Sequence, residues 1–507
     1  MMKKRALISV YDKTNLVEVA TYLTQKDYEI ISTGGTATHL EQAGIRVVHA
    51  EDLTGFQALL EGRVKTLSPI LYAGILARRE LASDMQTLES MGIEPIDLVI
   101  VNLYPFEQAL TQGLQSTPLL ELIDIGGVSL LRAAAKNYPS VTVITDPKDY
   151  DELIRRLHED DLEYRTQLAG KAFSVTSMYD AMIARYFNHK NHIEFPELLT
   201  LGYQKIDMPR YGENPHQRAA IYRKYPNQHA LVLDAQVLHG KQLSYNNIRD
   251  TEAAIHLLNE FDRPTVVVVK HMNPCSVSSK NTLFEAWQTA YQADPVSIFG
   301  GIIATNQIVD LSTAEAMHQL FLEIIIAKGY DSDALQCLKQ KKNLRILLLP
   351  ETHQVDPQEM VSIDGGMLFQ DADRFELDIQ DFQSVTTRKP SLNEINDMLF
   401  AMKVVRHVKS NAIVIAKDQT TRGIGAGQMN RVGAAKIALE QAKEDSTGAV
   451  LASDGFIPMM DTVMLANQYG ITSIIQPGGS INDFEVIRAC HTYDMTMVFT
   501  KTRHFKH

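Results

Sequence analysis

Val266-Val267-Val268-Val269-Lys270-His271-Met272-Asn273-Pro274-Cys275 is the stretch from which the fold can be read. Four consecutive valines are too β-branched for a good helix and too apolar for a surface loop, so they predict a buried parallel strand. The run stops abruptly at Lys270-His271, and Asn273-Pro274 is expected to turn the chain. In open α/β sheets ligands bind outside the carboxyl ends of strands, so a lysine and a histidine stand where such folds do chemistry. The same residues also fit a strand end that simply becomes solvated, with Lys270 as a surface charge; the placement alone leaves both readings open.

Asn273-Pro274-Cys275 followed by Ser278 resembles half of a zinc-deaminase signature, which needs a Pro-Cys-x-x-Cys pair and an upstream His-x-Glu. Ser278 occupies the second cysteine position, and the three cysteines, Cys275, Cys337 and Cys490, are in no metal spacing. No zinc site is expected.

Around this stretch lie 507 residues, enough for two to four domains with sizeable cores. The chain is 45% hydrophobic and 22% charged, which is the composition of an ordinary soluble globular protein. Its net charge of -12 argues against a nucleic-acid binder, which needs a strong basic face, but allows local basic pockets for phosphate. Three cysteines without a disulfide framework suit a reducing compartment. The basic start, Met1 to Arg5, leads into an apolar run of only Ala6 to Val10, too short for a signal peptide. No stretch has the apolar length of a membrane span, so a cytoplasmic location is expected.

Upstream, the first half alternates strand and helix. Ala6 to Val10 reads as a strand, followed by a helix with Leu16, Val19, Ala20 and Leu23 on one face. Asn15 and Glu18 have the spacing of a capping box. Tyr28 to Ser32 predicts the next strand, running into Thr33-Gly34-Gly35-Thr36 and a helix from Ala37 to Ala43 that Gly44 should stop. Strand, Gly-Gly turn and helix place backbone amides at a helix N-terminus, which suits an anion, although a tight turn that binds nothing needs the same glycines. Arg63-Val64-Lys65-Thr66 offers two cations in a loop. Asp97 to Leu103 is a buried-strand run ending in Tyr104-Pro105-Phe106, and Asp124-Ile125-Gly126-Gly127 precedes a helix ending near Lys136-Asn137, with a further strand from Val141 to Thr145. Four such ends together outline a sugar-phosphate pocket with Lys65, Tyr104, Asp124 and Lys136 as polar groups. Helical sequence then runs from Asp149 to about His189, and the domain boundary is expected between Asn188 and Lys205.

Downstream, Arg210-Tyr211-Gly212-Glu213-Asn214-Pro215-His216-Gln217 is a loop dense in hydrogen-bonding groups. A helix around Leu283 to Tyr291 and strands at Glu323 to Ala327 and Arg345 to Leu349 follow the valine run. A second alternating block starts at Val404, with Asn411 to Ala416 as a strand. Gly423-Ile424-Gly425-Ala426-Gly427 fails the dinucleotide fingerprint, because Gln428 sits where the third glycine belongs, so a flexible loop ending at Arg431 is expected. Ser453-Asp454-Gly455-Phe456-Ile457-Pro458 follows another strand. The last strand, Met495 to Thr500, should hold the basic, aromatic end Arg503-His504-Phe505-Lys506-His507 near the sheet.

Taken together, Arg63-Val64-Lys65-Thr66-Leu67, Asn102-Leu103-Tyr104-Pro105-Phe106, Asp124-Ile125-Gly126-Gly127, the Arg210–Gln217 loop, Lys270-His271-Met272-Asn273-Pro274-Cys275 and the C-terminal Arg503–His507 occur in the order of one family. The chain resembles the bifunctional purine-biosynthesis family that joins AICAR formyltransferase to IMP cyclohydrolase, from about Ala6 to His507. It departs from the family pattern at Ser68, Tyr72, Ser276, Gly455, Ile457 and Met459.

That resemblance implies an α/β chain: residues 1–195 as a methylglyoxal-synthase-like IMP cyclohydrolase domain, and 196–507 as a formyltransferase region of two cytidine-deaminase-like units without zinc. It implies a homodimer with transferase sites built across the interface, and AICAR, FAICAR and 10-formyltetrahydrofolate as substrates, with no metal, nucleic acid or membrane. For formyl transfer it implies His271 as base, Lys270 stabilising charge, and Asn411 on the substrate. Arg210 and Arg431 would bind the substrate with Tyr211, His216, Glu323 and Phe505, while Phe299, Gly300, Phe456 and Pro458 line the adjoining pocket and His507 lies near. For ring closure it implies Lys65, Tyr104, Asp124 and Lys136 as the reacting groups. Lys13, Thr33, Gly34, Gly35, Thr36, Arg63 and Thr66 would bind the phosphoribosyl end, and Asn102, Gly126 and Gly127 would shape the base pocket. A nucleotide-sensing or scaffold protein that kept the pockets and lost catalysis is the competing reading; Lys270, His271, Lys65 and Asp124 together weigh against it, because a pure binder needs no such set.

Overall fold

The structure, a computed structural model, describes residues 3–114, 117–226, 230–351, 356–374 and 377–507. The chain divides into two compact units, Met1–Gln204 with Arg223–Asn227, and Lys205–Tyr222 with Gln228–His507. The main division follows Gln204, and a short return segment belongs to the first unit. The return has a physical cause: Tyr225 packs against the cluster formed by Phe106, Tyr179 and Met182.

In the first unit, β1 (Lys4–Val10), α1 (Leu16–Gln25), β2 (Tyr28–Ser32), α2 (Gly34–Gln42), β3 (Val47–His49), β4 (Leu98–Asn102), α3 (Gly126–Lys136), β5 (Thr142–Ile144) and α4 (Leu162–Lys190) are joined by shorter turns and helices. The described residues form a parallel sheet in the order β3-β2-β1-β4-β5. Strand order reverses between β1 and β4, the kind of switch point at which such sheets bind ligands. The expected face of α1, Leu16, Val19, Ala20 and Leu23, is buried. Gly44 ends α2 at φ +81°, its N–H bonding Glu41 O at 2.9 Å while Ile45 N bonds Leu40 O at 3.0 Å. The capping box at Asn15 does not form: Asn15 is left-handed, its side chain makes no cap, and Asp12 instead closes the turn by accepting from Thr14 N at 2.9 Å.

The second unit is built twice. Its first half runs β6 (Gln236–His239), α5 (Tyr245–Leu258), β7 (Thr265–Lys270), β8 (Asn273–Ser279), α6 (Leu283–Ala293), β9 (Ile302–Val309), α7 (Leu311–His318), β10 (Ile324–Tyr330), α8 (Ser332–Lys339) and β11 (Arg345–Leu348). Its second half repeats that order as β12 (Gln383–Ser384), α9 (Leu392–Val405), β13 (Ile413–Lys417), β14 (Thr420–Gly425), α10 (Arg431–Ala442), β15 (Val450–Ser453), α11 (Asp461–Gln468), β16 (Ser473–Gln476), α12 (Asp483–Thr492) and β17 (Thr496–Phe499). The sheet order, β12-β17-β16-β15-β13-β14-β8-β7-β9-β10-β11-β6, is a palindrome of equivalent strands about the β14–β8 seam. Hydroxyls stitch that seam: Ser278 Oγ lies 2.9 Å from Thr420 Oγ1, and Val277 N donates to Thr421 Oγ1 at 2.9 Å.

Two expectations fail here for stated reasons. The valine strand β7 is buried, but it is antiparallel to both neighbours, β8 and β9. A continuous apolar run reports burial on both faces rather than strand direction: Val267 and Val269 enter one core, Val266 and Val268 the opposite one. Nor does Asn273-Pro274 make the turn. His271 (φ +53°) and Met272 (φ +61°) form a two-residue hairpin turn, and Asn273 already pairs with Lys270.

The Gly423–Gly427 segment is likewise no loop through Gly425, because β14 runs to that residue. A Cβ at Gly423 or Gly425 would overlap the carbonyl oxygens of Ala438 or Ala434, so these glycines let α10 lie directly on the strand. Gly423→Ala should therefore lower stability by about 1–3 kcal/mol or more. Gly170→Ala, in α4 with open space at its Cβ, should raise stability by roughly 0.5–1 kcal/mol. Urea denaturation of both variants checks the pair; equal effects would contradict the close approach.

Candidate active sites

The first site grows from the ends of β1, β2 and β4. A cavity of about 600 Å³ opens there, lined by Lys13, Thr33, Gly34, Gly35, Thr36, Arg63, Lys65, Thr66, Asn102, Tyr104, Asp124, Gly126 and Gly127, with Glu61, Glu121 and apolar groups between them. That volume suits a small ligand. The first turns of α2 and α3 both face it, and helix N-termini favour an anion, although Gly127 N is already taken by the Asp124 carboxylate. Glycine is needed where the walls fold over the α3 turn, because a Cβ at Gly126 would overlap Thr66 and one at Gly127 the Asp124 carboxylate.

Several lining groups are braces rather than free hands. Thr36 Oγ1 donates to Val10 O at 2.9 Å and accepts from Val10 N at 3.1 Å, fixing α2 to β1. Asn102 Oδ1 accepts from Tyr11 N at 2.7 Å and Asp12 N at 2.9 Å, holding the loop that carries Lys13. Arg63 is ion-paired with Glu121 at the rim. Lys65 runs over Gly62 and Gly34, its Nζ 3.9 Å from the Cβ position of Gly34, and it acts electrostatically on Asp124. Lys136 does not line the cavity: it ends α3, exposed, ten residues and about 15 Å along the helix from Gly126.

Asp124 is the tuned group. Burial pushes its carboxyl above the usual range, opposed by the amides of Gly127 and Tyr104 and by Lys65. Its Oδ1 accepts from Gly127 N at 2.7 Å. Sequence reading missed what holds this loop: Tyr179, far away on α4, donates its hydroxyl to Leu122 O at 2.7 Å and accepts from Asp124 N at 2.9 Å. A lone tyrosine in a long helix carries no local signal of such a bond.

Because the folded-state value of Asp124 lies above the unfolded one, its ionisation opposes folding, and stability is lost as pH rises through the folded value. Asp124→Asn should thus gain stability relative to the parent chain as pH rises from about 3.8 toward neutrality, on top of a constant offset for the lost acceptor. Urea midpoints across that range check it; a difference that does not change with pH would contradict the burial effect.

The second site gathers at the β7–β8 hairpin. Lys270 Nζ donates to Phe299 O at 3.0 Å, so the lysine is held against the Phe299-Gly300 loop. That loop is pinned by Gly300 N bonding Phe321 O at 2.8 Å. His271 is exposed beside it, and Asp250 on α5 accepts from the amides of His271 and Met272 at 3.3 and 2.7 Å. Asn273 ties this corner to the segment before Asn411: its Nδ2 donates to His271 O at 3.1 Å and its Oδ1 accepts from Lys409 N at 3.0 Å. Asn411 lines a smaller cavity of about 290 Å³ with Ser410, Gly427, Gln428, Met429, Phe505 and His507. The C-terminal segment is held there, Ser410 N bonding Lys506 O at 2.8 Å and His504 N bonding Asp454 O at 2.9 Å.

Not every expected group converges. Arg431 is only 7% exposed and ion-paired with Asp454, which also accepts from Ala412 N at 3.1 Å, so its charge is already matched. Glu323 pairs with Arg345 at 2.9 Å. Phe456 is exposed and Pro458 O accepts from Asn482 at 2.9 Å, in a loop outside that cavity's lining. The loop with Arg210, Tyr211 and His216 is anchored to α5 through Glu213 and Arg249 at 3.0 Å, away from the same lining. Among the departures, Ser68 Oγ accepts from Ile70 N at 3.3 Å as a helix cap, and Ser276 Oγ donates to Ala290 O at 2.7 Å. Among the described residues no group of three or more His, Cys, Asp or Glu side chains is gathered for a metal, and no helix is long and apolar enough to cross a membrane.

The AICARFT/IMPCHase bienzyme family matches residues 134–441, and the MGS-like domain family matches residues 15–129. A bifunctional purine biosynthesis protein, PurH, of Oceanobacillus iheyensis is 50% identical over 100% of both chains. Its namesake in Lactobacillus delbrueckii subsp. bulgaricus is 50% identical over 99% of this chain and 100% of its own. That of Bacillus cereus is 49% identical over 100% of both.

Proposed function

This chain belongs to the AICARFT/IMPCHase bienzyme family, and from that premise we propose how its two units divide the work. It is a bifunctional AICAR formyltransferase and IMP cyclohydrolase, acting at the last two steps of IMP synthesis. The first unit, MGS-like, closes the ring; the second, whose doubled halves we read as cytidine-deaminase-like without zinc, transfers the formyl group. The observation that carries this division is the grouping of side chains. Lys65, Tyr104 and Asp124 share one cavity, whereas Lys270, His271 and Asn411 are joined through Asn273 in the other unit.

In formyl transfer the donor is 10-formyltetrahydrofolate and the acceptor is the 5-amino group of AICAR. That amine is conjugated through the imidazole with the carboxamide, so it is a poor nucleophile and needs a base. His271 takes its proton as nitrogen bonds the formyl carbon; Lys270 faces the oxygen that turns anionic; the bond from that carbon to folate N10 then breaks, and N10 takes the proton from His271 as tetrahydrofolate leaves. In ring closure the carboxamide nitrogen attacks the new formyl carbon and water departs. The nucleophile is already attached, so the site's work is orientation and charge. Lys65 stabilises the oxyanion, and Asp124, its proton affinity raised by burial, moves a proton between nitrogen and the leaving oxygen. The phosphate lies at the amides of α2 and α3.

We read the working form as a cytoplasmic homodimer. The Arg210–Gln217 loop and Lys136 then serve a second copy, a reading supported by their lying outside the linings of the two cavities described above. The test is direct. Purified protein given AICAR and 10-formyltetrahydrofolate should release tetrahydrofolate and form IMP; tight AICAR binding with no turnover would favour a sensor.

A further inference from the structure

We propose that Asn273 is a positioning residue for formyl transfer, setting the spacing between His271 and Asn411; this rests on the reading of His271 as the base. The doubled second unit separates what its architecture requires from what the site adds. Both hairpins turn through two left-handed residues, His271-Met272 at φ +53° and +61°, and Asp418-Gln419 at φ +53° and +51°. Both turns are clamped by an aspartate from the preceding helix: Asp250 on the amides of His271 and Met272, and Asp397 on those of Asp418 and Gln419 at 2.9 and 2.7 Å. Both strands end in a lysine bonded to the next loop, Lys270 to Phe299 O at 3.0 Å and Lys417 to Thr447 O at 2.8 Å. Even the loop glycines match, Gly448 N bonding Gly470 O as Gly300 N bonds Phe321 O, each at 2.8 Å. Clamp, lysine and glycine therefore build the hairpin in either half.

The residue after the turn breaks the match. Thr420 in the second half reaches Asp418 O at 3.4 Å and crosses the seam only to the neighbouring strand, its Oγ1 lying 2.9 Å from Ser278 Oγ on β8. Asn273 makes the corresponding bond to His271 O but also accepts from Lys409 N, crossing to the segment of the other half that precedes β13 and carries Asn411. Lys409 O in turn takes Gly427 N at 2.7 Å, and Asn411 Nδ2 donates to Gln428 O at 2.8 Å, so the crossing ends on the wall of the Asn411 cavity. Asn273 uses both ends of its amide on backbone and acts through its neighbours.

In the full-length protein, Asn273→Ala and Asn273→Thr should each lower kcat for formyl transfer by about 10- to 100-fold, the scale of a reacting group displaced by about an ångström. Thr keeps the bond to the turn carbonyl and drops the one to Lys409, so its fall locates the effect in the crossing. KM for AICAR should stay within roughly threefold, because binding is not what is lost. Ring closure of supplied FAICAR should be unchanged. The pH profile of kcat should keep its inflection at a lower plateau, whereas His271→Ala removes the inflection. Transfer at the parent rate in both Asn273 variants, with His271→Ala inactive, would overturn the proposal alone. Loss of ring closure together with transfer would mark a folding role and overturn it too. Normal transfer by His271→Ala would remove the base assignment and the proposal with it.

Discussion

His271→Ala should abolish formyl transfer, a loss of about 100- to 10,000-fold, while FAICAR supplied to the same protein still closes to IMP at the parent rate. The size follows from the chemistry: a delocalised amine does not attack unless its proton is taken in the same step. The geometry explains why one residue carries so much. His271 sits in a two-residue turn with its backbone fixed by Asp250 and Asn273, so its exposed ring is carried on a held backbone. The substitution removes no buried group, and the clamp on the backbone amides persists in alanine. Fold and thermal midpoint should therefore be kept. Transfer persisting within about threefold would mean that His271 is not the base.

Lys65→Ala should have the complementary effect, a loss on the order of 100- to 1000-fold in turnover of FAICAR with formyl transfer intact. Closure is intramolecular, so orientation is largely supplied by the substrate, and the remaining barrier lies in the charge on the former formyl oxygen. Lys65 lies along the glycine turns Gly62 and Gly34 and opposite Asp124. Arg63 is ion-paired with Glu121, and Lys13 Nζ donates to Tyr11 O at 3.2 Å. Lys65 is thus the cation best placed for an oxyanion inside the cavity. Single-turnover closure of FAICAR measures it, and a surface lysine would cost almost nothing.

Local signals were legible and tertiary ones were not. Strands β1, β2 and β4, the glycine turns before α2 and α3, and the hold on the C-terminal segment all follow from periodicity and turn chemistry within a few residues. The direction of β7 did not, because two-sided burial makes the same valine run in either orientation. The role of Gly423 and Gly425 depends on a helix that follows them, and that of Tyr179 on a loop more than fifty residues before it. The buried ion pair of Arg431 with Asp454 has no sequence signal either, because its partner lies on a loop 23 residues away. The doubling of the second unit is plain in strand order, whereas in sequence the halves share only scattered residues, such as Asp250 with Asp397 and Lys270 with Lys417, too few to mark a repeat.

Two chemically independent sites in one chain, as proposed above, require FAICAR to leave the second unit and be bound afresh by the first. Mixing His271→Ala protein with Lys65→Ala protein tests this most directly. Given AICAR and 10-formyltetrahydrofolate, the first alone should make nothing and the second alone should accumulate FAICAR. The mixture should form IMP at a rate that rises with the amount of His271→Ala protein. No IMP from the mixture, with both proteins folded, would contradict the account.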